Sequence, residues 1–291
     1  MSLATTCRYG DAQPTNEIIS PEDNCSNMLI RYCSIPALIV WLFSSSAAAM
    51  ATISEKTVVF LRHGCTYMNE YLGRRVSFGA PNFSDVFPDD ETREKFYRDS
   101  PLSPLGERQA FELLARSKPK FLDHCELIVT SPLRRALQTL HVGLKPHLAA
   151  NKIPVIALPE AAERLYLISD VGRSVRQMEQ EFDYVDFKTG FDYSGKPRDA
   201  WWYQSSTEMN YVEWRPSGQG QKYACPGEPQ HCFDARMTRL YDWLLERPET
   251  YIVVVSHWGV IDWMLDMDFD NCQWKQVEWS KIRPKALVER K

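Results

Sequence analysis

Short apolar runs alternate with amphipathic segments along the chain from Lys56 onward. The apolar runs are rich in β-branched residues and predict strands over Thr57–Leu61, Glu126–Thr130, Ile153–Leu158 and Tyr251–Val255. The segments between them have helical periodicity and predict helices over Pro104–Ser117, Pro132–Leu148 and Phe233–Leu245. Strands that alternate with helices predict an α/β fold, a three-layer α/β/α sandwich with a mostly parallel central sheet and helices on both faces.

Two long stretches do not follow this alternation. Gly73–Ser100 is rich in Phe, Pro and Asp, and Phe187–Pro229 contains the aromatic residues Trp201, Trp202 and Trp214. Loops of such length in a compact domain carry function or contain small elements of their own. We predict that both stretches are insertions that form a lid or a wall of a substrate pocket. The aromatic group near Trp201 is expected to serve packing more than recognition.

The first fifty residues differ from the rest of the chain. They are polar up to about Asn27, and an apolar run from Ile35 to Phe43 precedes a run of Ser and Ala. That run is too short to span a membrane. The Met28–Ala49 segment is a secretory signal, an organelle leader, or a stretch before a translation start at Met50 that would make the protein cytoplasmic. In all three interpretations we expect residues 1–50 to lie outside the fold and residues 51–291 to form one domain.

The charge and the cysteines of the chain exclude some classes of partner. Lys and Arg number 34 against 38 Asp and Glu, which gives a net charge of −4, and no long basic run is present. Nucleic-acid binding relies on clustered cations, so no nucleic-acid partner is predicted. The 8 cysteines are scattered without a CxxC pair. We therefore expect mostly reduced thiols and no metal site, with a Cys225–Cys232 disulfide left open.

Candidate chemistry lies at the end of the first predicted strand, where Arg62 and His63 are followed by Gly64. An α/β sheet binds ligands at the carboxyl ends of its strands. A neutral, oriented imidazole can attack phosphorus, and a guanidinium can hold two phosphate oxygens with its fork. Gly64 is expected to permit a sharp turn without a Cβ clash. An isolated Arg-His-Gly also occurs as surface charge, so the other strand ends decide the interpretation.

Two further strand ends carry cationic residues. Ser131–Thr139 (SPLRRALQT) follows the second strand and opens a helix, which places an arginine and the positive end of a helix near the same edge. His257, within Val255–Gly259 (VSHWG), follows the last predicted strand. A random sequence seldom places such groups after three strands. The pattern therefore predicts a phosphate site at this edge of the sheet.

These segments resemble the histidine phosphatase superfamily, also called phosphoglycerate-mutase-like. The family patterns L-R-H-G-x-T-x-x-N, L-S-x-x-G-x-x-Q-A, S-P-L-x-R-A-x-Q-T and V-S-H-x-G match, in order, Leu61–Asn69, Leu102–Ala110, Ser131–Thr139 and Val255–Gly259. The resemblance covers residues 56–259, nearly the whole predicted domain. It implies the phosphoglycerate-mutase-like form of the α/β/α sandwich.

The resemblance also implies roles for individual residues. His63 corresponds to the nucleophile that becomes phosphohistidine, and Arg62, Arg135 and His257 correspond to the groups that bind the phosphoryl oxygens. Arg135, rather than Arg134, stands at the family position four residues after the serine. We expect a neutral His63 beside two arginines and a charged His257, because nearby positive charge lowers the pKa of a histidine. No metal and no cofactor is implied.

Three further residues match family positions around the phosphate. Thr66 and Asn69 correspond to residues that line the phosphate pocket, with ordinary capping of the next turn as the alternative. Family members protonate the leaving oxygen with an acidic residue after the third strand. Glu163 is favoured for this role over Glu160 because an arginine follows it directly, as in the family.

The segment after the proposed acid bears on the reaction. Arg164–Asp170 (RLYLISD) lacks the Gly-rich, Asn- and Lys-containing stretch found there in glycolytic mutases, which favours a phosphomonoester hydrolase. A phosphoglycerate-type mutase and a catalytically inactive module that binds phosphorylated ligands are the alternatives. The expected partner is a phosphorylated small molecule, and no stable membrane span is expected. The physiological substrate and the oligomeric state are left open.

Overall fold

The computed structural model describes residues 56–73, 82–85, 96–115, 120–204 and 227–284. The predicted leader at residues 1–50 and Cys225 lie outside these ranges, as do large parts of both predicted insertions. Cys232 lies inside them and carries a free thiol. No helix within the described ranges is long and apolar enough to cross a membrane.

The centre of the domain is a five-stranded sheet with the strand order β3-β2-β4-β1-β5. Its strands are β1 Thr57–Arg62, β2 Leu127–Thr130, β3 Val155–Ala157, β4 Tyr251–Ser256 and β5 Trp274–Glu278. Strands β1 to β4 pair in parallel, and β5 pairs antiparallel with β1 at one edge. The register aligns Arg62 of β1 with Ser256 of β4, so the residues that follow these strands begin side by side.

Helices cover both faces of the sheet. They are α1 Tyr67–Leu72, α2 Pro104–Ala115, α3 Arg134–Gly143, α4 Lys145–Asn151, α5 Val175–Glu181, α6 Phe187–Ser194, α7 Gln230–Glu246 and α8 Trp258–Leu265. One apolar cluster joins the strands to α3, α5 and α6 through Val59, Ile128, Val253, Leu137, Met178 and Phe187. A second cluster joins the alternate strand residues to α7 and α8 through Phe60, Val129, Val254, Met237 and Val260. Both faces of β1 to β4 are buried, which is why these four strands have continuous apolar runs. The predicted α/β class is confirmed.

The structure corrects the predicted helix over Pro132–Leu148. The segment forms two helices, α3 and α4, that meet at Leu144, whose φ of −120° is not helical. Pro146 lies at the start of α4 and explains the break, because proline lacks the N–H that would continue the helical hydrogen bonds.

Five elements, namely α1, α5, α6, α8 and β5, were not predicted from the sequence, and two of them show why. Helix α6 lies within Phe187–Pro229, the stretch predicted to be an insertion, and its Gly190 lies so close to β3 that a Cβ there would be 2.0 Å from the carbonyl oxygen of Ala157. Strand β5 has mostly exposed side chains and therefore lacks the apolar run that marks the other strands. Both α6 and β5 form because of their packing against neighbouring elements, and the local sequence pattern does not reveal such packing.

Lys56 is a buried lysine that joins the start of β1 to the end of α7. Its ammonium group donates to the carbonyl oxygens of Leu244 at 2.7 Å, Leu245 at 3.0 Å and Arg247 at 2.6 Å. The last carbonyls of a helix have no partners within the helix, and a cation is favourable there. Lys56 therefore fixes β1 to the last turn of α7.

We predict that Lys56→Met lowers the free energy of unfolding by about 2 kcal/mol, since it leaves these carbonyls without their charged donor. Urea unfolding followed by circular dichroism measures the change. Lys188→Met is the matched control, because the Lys188 side chain is 81% exposed and pairs with Asp192 on the surface. Equal stability of the two variants would show that the Lys56 contacts contribute nothing.

Candidate active site

The ends of three neighbouring strands bring the sequence motifs together. Strands β1 and β4 pair directly, and the residues that follow them, His63 and His257, have ring centroids 5.0 Å apart. Strand β2 pairs with β4 on its other side, which brings Ser131 and the start of α3 to the same edge. The convergence expected from the strand ends is therefore present.

His63 is buried, and its hydrogen bonds show which ring nitrogen carries the proton and which carries the lone pair. Nδ1 lies 2.7 Å from the carbonyl oxygen of Gly64, which can only accept, so Nδ1 carries the proton. Nε2 accepts from Nε of Arg135 at 3.3 Å. Burial, then the charges of Arg135 and Arg62, hold the pKa of His63 well below its ordinary value. His63 is thus neutral, with the lone pair on Nε2.

His257 is fully buried and takes the opposite tautomer. Its Nδ1 accepts from Nε of Arg135 at 3.2 Å, and its Nε2 donates to the hydroxyl of Ser131 at 2.7 Å. Burial, then Arg135 and His63, keep the pKa of His257 well below its ordinary value. The expectation of a charged His257 is therefore wrong, because the ring is desolvated among cations. His257 lies behind the cavity described below and is not among its lining residues.

Arg135 is held by contacts on every nitrogen of its guanidinium. Its Nε is shared between the two histidines, Nη1 donates to the carbonyl oxygen of Ser169 at 2.6 Å, and Nη2 donates to the Asp170 carboxylate at 2.8 Å. Arg135 and Asp170 are both about 5% exposed. The second carboxylate oxygen of Asp170 accepts from the backbone N–H groups of Tyr166 and Leu167. Buried charges paired and bonded in this way are fixed in position.

Sequence reasoning did not identify Asp170 or Ser169 as site residues. Both lie in the stretch after Glu163 that was compared with mutases only for its composition. One signal was available in the sequence. Asp170 follows Glu163 by a few residues, and a buried Arg135 requires an anionic partner. The path of this segment back to the strand ends is a property of the fold.

Arg62 has a donor that remains unused. Its Nη1 donates to the carbonyl oxygen of Phe269, whereas its Nε is buried without a partner among the described residues. Unpaired buried donors are rare, since each costs free energy unless a ligand or water satisfies it. Arg62 lines the same cavity as His63.

Glu163 lines the cavity, and Glu160 does not. The Glu163 carboxylate accepts from the backbone N–H of Arg164 at 2.8 Å and of Gly259 at 3.2 Å. Burial and then the nearby charge of Asp170 raise the pKa of Glu163. A carboxyl with a raised pKa can hold a proton at higher pH than an ordinary one.

Two glycines of the motifs are required by close approach. A Cβ on Gly259 would lie 2.4 Å from Oε1 of Glu163, so only glycine leaves room for that carboxylate. Gly64 was expected to permit a sharp turn, but no left-handed φ is found there. A Cβ on Gly64 would instead lie 2.8 Å from the carbonyl oxygen of Gly106. The close packing of α2 against the loop after β1 therefore explains this glycine.

Thr66 and Asn69 cap the start of α1 and also lie at the cavity, and their contact with a phosphate stays a prediction. The Thr66 hydroxyl accepts from the N–H of Asn69 at 3.0 Å, and the Asn69 amide oxygen accepts from the N–H of Thr66 at 3.1 Å, a capping box at the start of α1. Both residues also line the cavity. Asn271 donates to the carbonyl oxygen of His63 at 3.0 Å and was not identified from the sequence.

The cavity beside His63 has a volume of about 520 Å³. Its described lining residues are Arg62, His63, Thr66, Met68, Asn69, Leu72, Arg135, Glu163, Tyr166, Leu167, Ser169, Asp170 and Trp258. A volume of this order accommodates a small ligand. Within the described residues no group of three or more His, Cys, Asp or Glu side chains is arranged to hold a metal ion.

The chain matches the family model for the histidine phosphatase superfamily (branch 1) over residues 58–200. It is 29% identical over 133 residues to a protein of Schizosaccharomyces pombe described as a probable phosphatase. The aligned part covers 46% of this chain and 52% of that protein, so the chain spans about half the length of this curated relative.

Many solved structures are similar to the chain, among them a phosphatase and a mutase. The α-ribazole phosphatase of Shigella flexneri is 19% identical, with a TM-score of 0.43 over 76% of this chain and 89% of that chain. A phosphoglycerate mutase of Thermus thermophilus is 18% identical, with a TM-score of 0.40 over 78% of this chain and 95% of that chain. The match to the family model confirms the resemblance to the histidine phosphatase superfamily that the motifs predicted.

We predict that the two site histidines are neutral and carry their protons on different nitrogens at neutral pH. Long-range ¹H–¹⁵N correlation spectra of the imidazole rings distinguish the tautomers. His63 should be protonated on Nδ1 and His257 on Nε2, and His63→Gln and His257→Gln assign the signals. A doubly protonated ring at neutral pH, or a proton on Nε2 of His63, would contradict the hydrogen-bond pattern.

Proposed function

We propose that the chain is a phosphomonoester hydrolase that works through a phosphohistidine on His63. The observation that carries the proposal is the fixed, neutral imidazole of His63 beside a cavity with two guanidinium groups. A neutral imidazole is a nucleophile, and guanidinium groups bind phosphate. Arg62 offers a buried donor without a partner among the described residues, which suits a phosphoryl oxygen.

In the first step, Nε2 of His63 attacks phosphorus. The N–P bond forms while the bond from phosphorus to the ester oxygen breaks, and Glu163 donates its proton to the departing oxygen. The raised pKa of Glu163 supports this role, because a general acid must be protonated when the substrate binds. The N–H of Nδ1 stays bonded to the Gly64 carbonyl and stabilises the positive charge that the ring gains.

In the second step, water attacks the phosphohistidine. The new O–P bond forms as the N–P bond breaks, the electron pair returns to Nε2, and Glu163 takes the proton of the water. Arg62 and Arg135 are proposed to stabilise the charge on the three equatorial phosphoryl oxygens in both steps. His257 is proposed to act through its neutral ring, which lies against His63 and accepts from Arg135.

Hydrolysis is proposed rather than a phosphoglycerate-type mutase reaction. A mutase must bind the carboxylate of a sugar acid as well as its phosphate. The cationic residues among the described lining of the cavity are Arg62 and Arg135, and both are proposed to serve the phosphoryl group. Its acidic residues are Glu163 and Asp170, and no further cation is present among the described lining residues to bind a substrate carboxylate.

We predict that brief exposure of the full chain to ³²P-labelled glycerol 3-phosphate labels His63. Mass spectrometry at a pH that preserves phosphohistidine locates the label, and release of inorganic phosphate is followed in parallel. His63→Ala should abolish both signals, whereas His231→Ala, at an exposed histidine, should keep them. Turnover that persists in His63→Ala would contradict the proposal. Binding of phosphate without label or turnover would favour the inactive binding module.

We predict that kcat/KM falls on the alkaline side as Glu163 loses its proton. Because the pKa of Glu163 is raised, this fall should come at higher pH than for an ordinary carboxyl group. Glu163→Gln should lower kcat for an alkyl phosphate about a hundredfold or more. The same variant should show no fall of kcat/KM on the alkaline side. Asp170→Asn, which removes the neighbouring negative charge, should move the fall to lower pH.

Glu160→Gln is the control for this pH profile. Glu160 is also fully buried after β3, but it lies outside the cavity and its Oε1 is 3.4 Å from Nε of Arg239. The Glu160→Gln variant should keep the alkaline fall of the unmodified chain. If kcat/KM no longer fell at alkaline pH in Glu160→Gln but still fell in Glu163→Gln, the proton donor would be Glu160 and not Glu163.

A further inference from the structure

The cavity wall beyond the phosphate-binding groups is apolar. Met68 and Leu72 of α1 contribute to it, Tyr166 and Leu167 follow Glu163 along the chain, and Trp258 is the first residue of α8. Three separate segments therefore surround the reactive nitrogen with apolar side chains. This part of the cavity is where the alcohol of a bound phosphomonoester would lie.

A small apolar cluster supports part of this wall. Met68 and Leu167 are buried with Phe83, and Leu72 and Tyr166 pack against them. The cluster is separate from the two that pack on the faces of the sheet. The Arg164 guanidinium lies over one face of the Tyr166 ring, 4.9 Å from its centroid, and holds the ring in position. This wall is thus preformed rather than assembled by the ligand.

Trp258 is an exposed aromatic residue whose position is fixed. Its side chain is 41% exposed although it lines the cavity, and its indole N–H donates to the Asp268 carboxylate at 2.6 Å. The bond holds the polar edge of the indole and leaves apolar ring surface at the cavity. An exposed, oriented tryptophan is a frequent feature of binding sites, because its large surface contacts a ligand at low entropic cost.

The charges in the cavity argue against a second anionic group on the substrate. Arg135 has its Nη1 and Nη2 donors bonded to Ser169 and Asp170, and Arg62 lies beside His63 as a phosphoryl-binding group. The acidic residues of the described lining are Glu163, which is proposed to be protonated, and Asp170, which is already paired with Arg135. A carboxylate or second phosphate on the substrate would be desolvated there without a cation.

We propose that the substrates are phosphomonoesters of small alcohols that carry an apolar aromatic group, with Trp258 and Tyr166 as the residues that select them. This proposal rests on the phosphatase function proposed above. The aromatic group lies against the indole of Trp258 and the ring of Tyr166, and the phosphoryl group lies at His63. Aromatic pairs of this kind add to the free energy gained by burying apolar surface.

The test compares benzyl phosphate with glycerol 3-phosphate on the full chain. Both leaving groups are primary alcohols of similar basicity, so the chemistry at phosphorus is matched and the difference reports binding of the alcohol. We expect kcat/KM to be about tenfold or more higher for benzyl phosphate. Equal values, or a preference for glycerol 3-phosphate, would overturn the aromatic-alcohol proposal and leave the phosphatase function intact.

Variants of the cavity wall then show which residues cause the preference for benzyl phosphate. Trp258→Ala should lower kcat/KM for benzyl phosphate to near the value for glycerol 3-phosphate, and turnover of the latter reports that the variant is folded. Tyr166→Leu keeps an apolar side chain and should lower kcat/KM for benzyl phosphate to a smaller extent. Trp274→Ala is the matched control, since Trp274 is 38% exposed on β5 and lies outside the cavity.

The two proposals fail in different ways. A preference for benzyl phosphate that survives Trp258→Ala and Tyr166→Leu would overturn the assignment of these residues as its cause. No turnover of either ester, together with no phosphate on His63, would overturn the phosphatase function and the substrate class with it.

Discussion

The site depends on one buried ion pair, between Arg135 and Asp170. Burying an ion costs free energy on the order of several kcal/mol, and this cost is offset only when the two ions pair closely and their hydrogen-bonding groups are satisfied. Here the guanidinium is bonded on all three nitrogens, and Asp170 is bonded in turn by two backbone N–H groups. Burial and then the charge of this fixed guanidinium lower the pKa of both histidines, and the guanidinium donates to each ring.

The sheet brings this pair to the histidines. The parallel register of β1 and β4 places His63 and His257 side by side, and β2 directs α3 so that Arg135 reaches between them. Asp170 comes from the segment that follows β3 and also carries Glu163, so the anchor of the arginine and the proposed acid lie on the same segment. The charge of Asp170 is close enough to raise the pKa of Glu163. One carboxylate therefore orients Arg135, the proposed phosphoryl-binding arginine, and favours the protonated form of Glu163, the proposed acid.

The sequence was sufficient for the α/β class, the strand ends and the family, because those features depend on local pattern and on motifs with fixed spacing. It favoured Glu163 over Glu160, and the structure places Glu163 in the cavity lining. Other features depend on how distant segments meet. The neutral state of His257 follows from burial, the anchoring by Asp170 from the path of a loop, and the need for Gly259 from a carboxylate 96 residues earlier in the chain. Strand β5 escaped prediction because its side chains face solvent.

The covalent route through His63 is tested most directly by the stereochemistry at phosphorus. A phosphorothioate monoester made chiral with ¹⁸O is hydrolysed in water enriched in ¹⁷O, and the configuration of the released thiophosphate is determined. Two in-line displacements, first by Nε2 of His63 and then by water, each invert phosphorus, so the account predicts overall retention. Overall inversion would mean that water attacks the ester in a single step, and it would contradict a phosphohistidine intermediate.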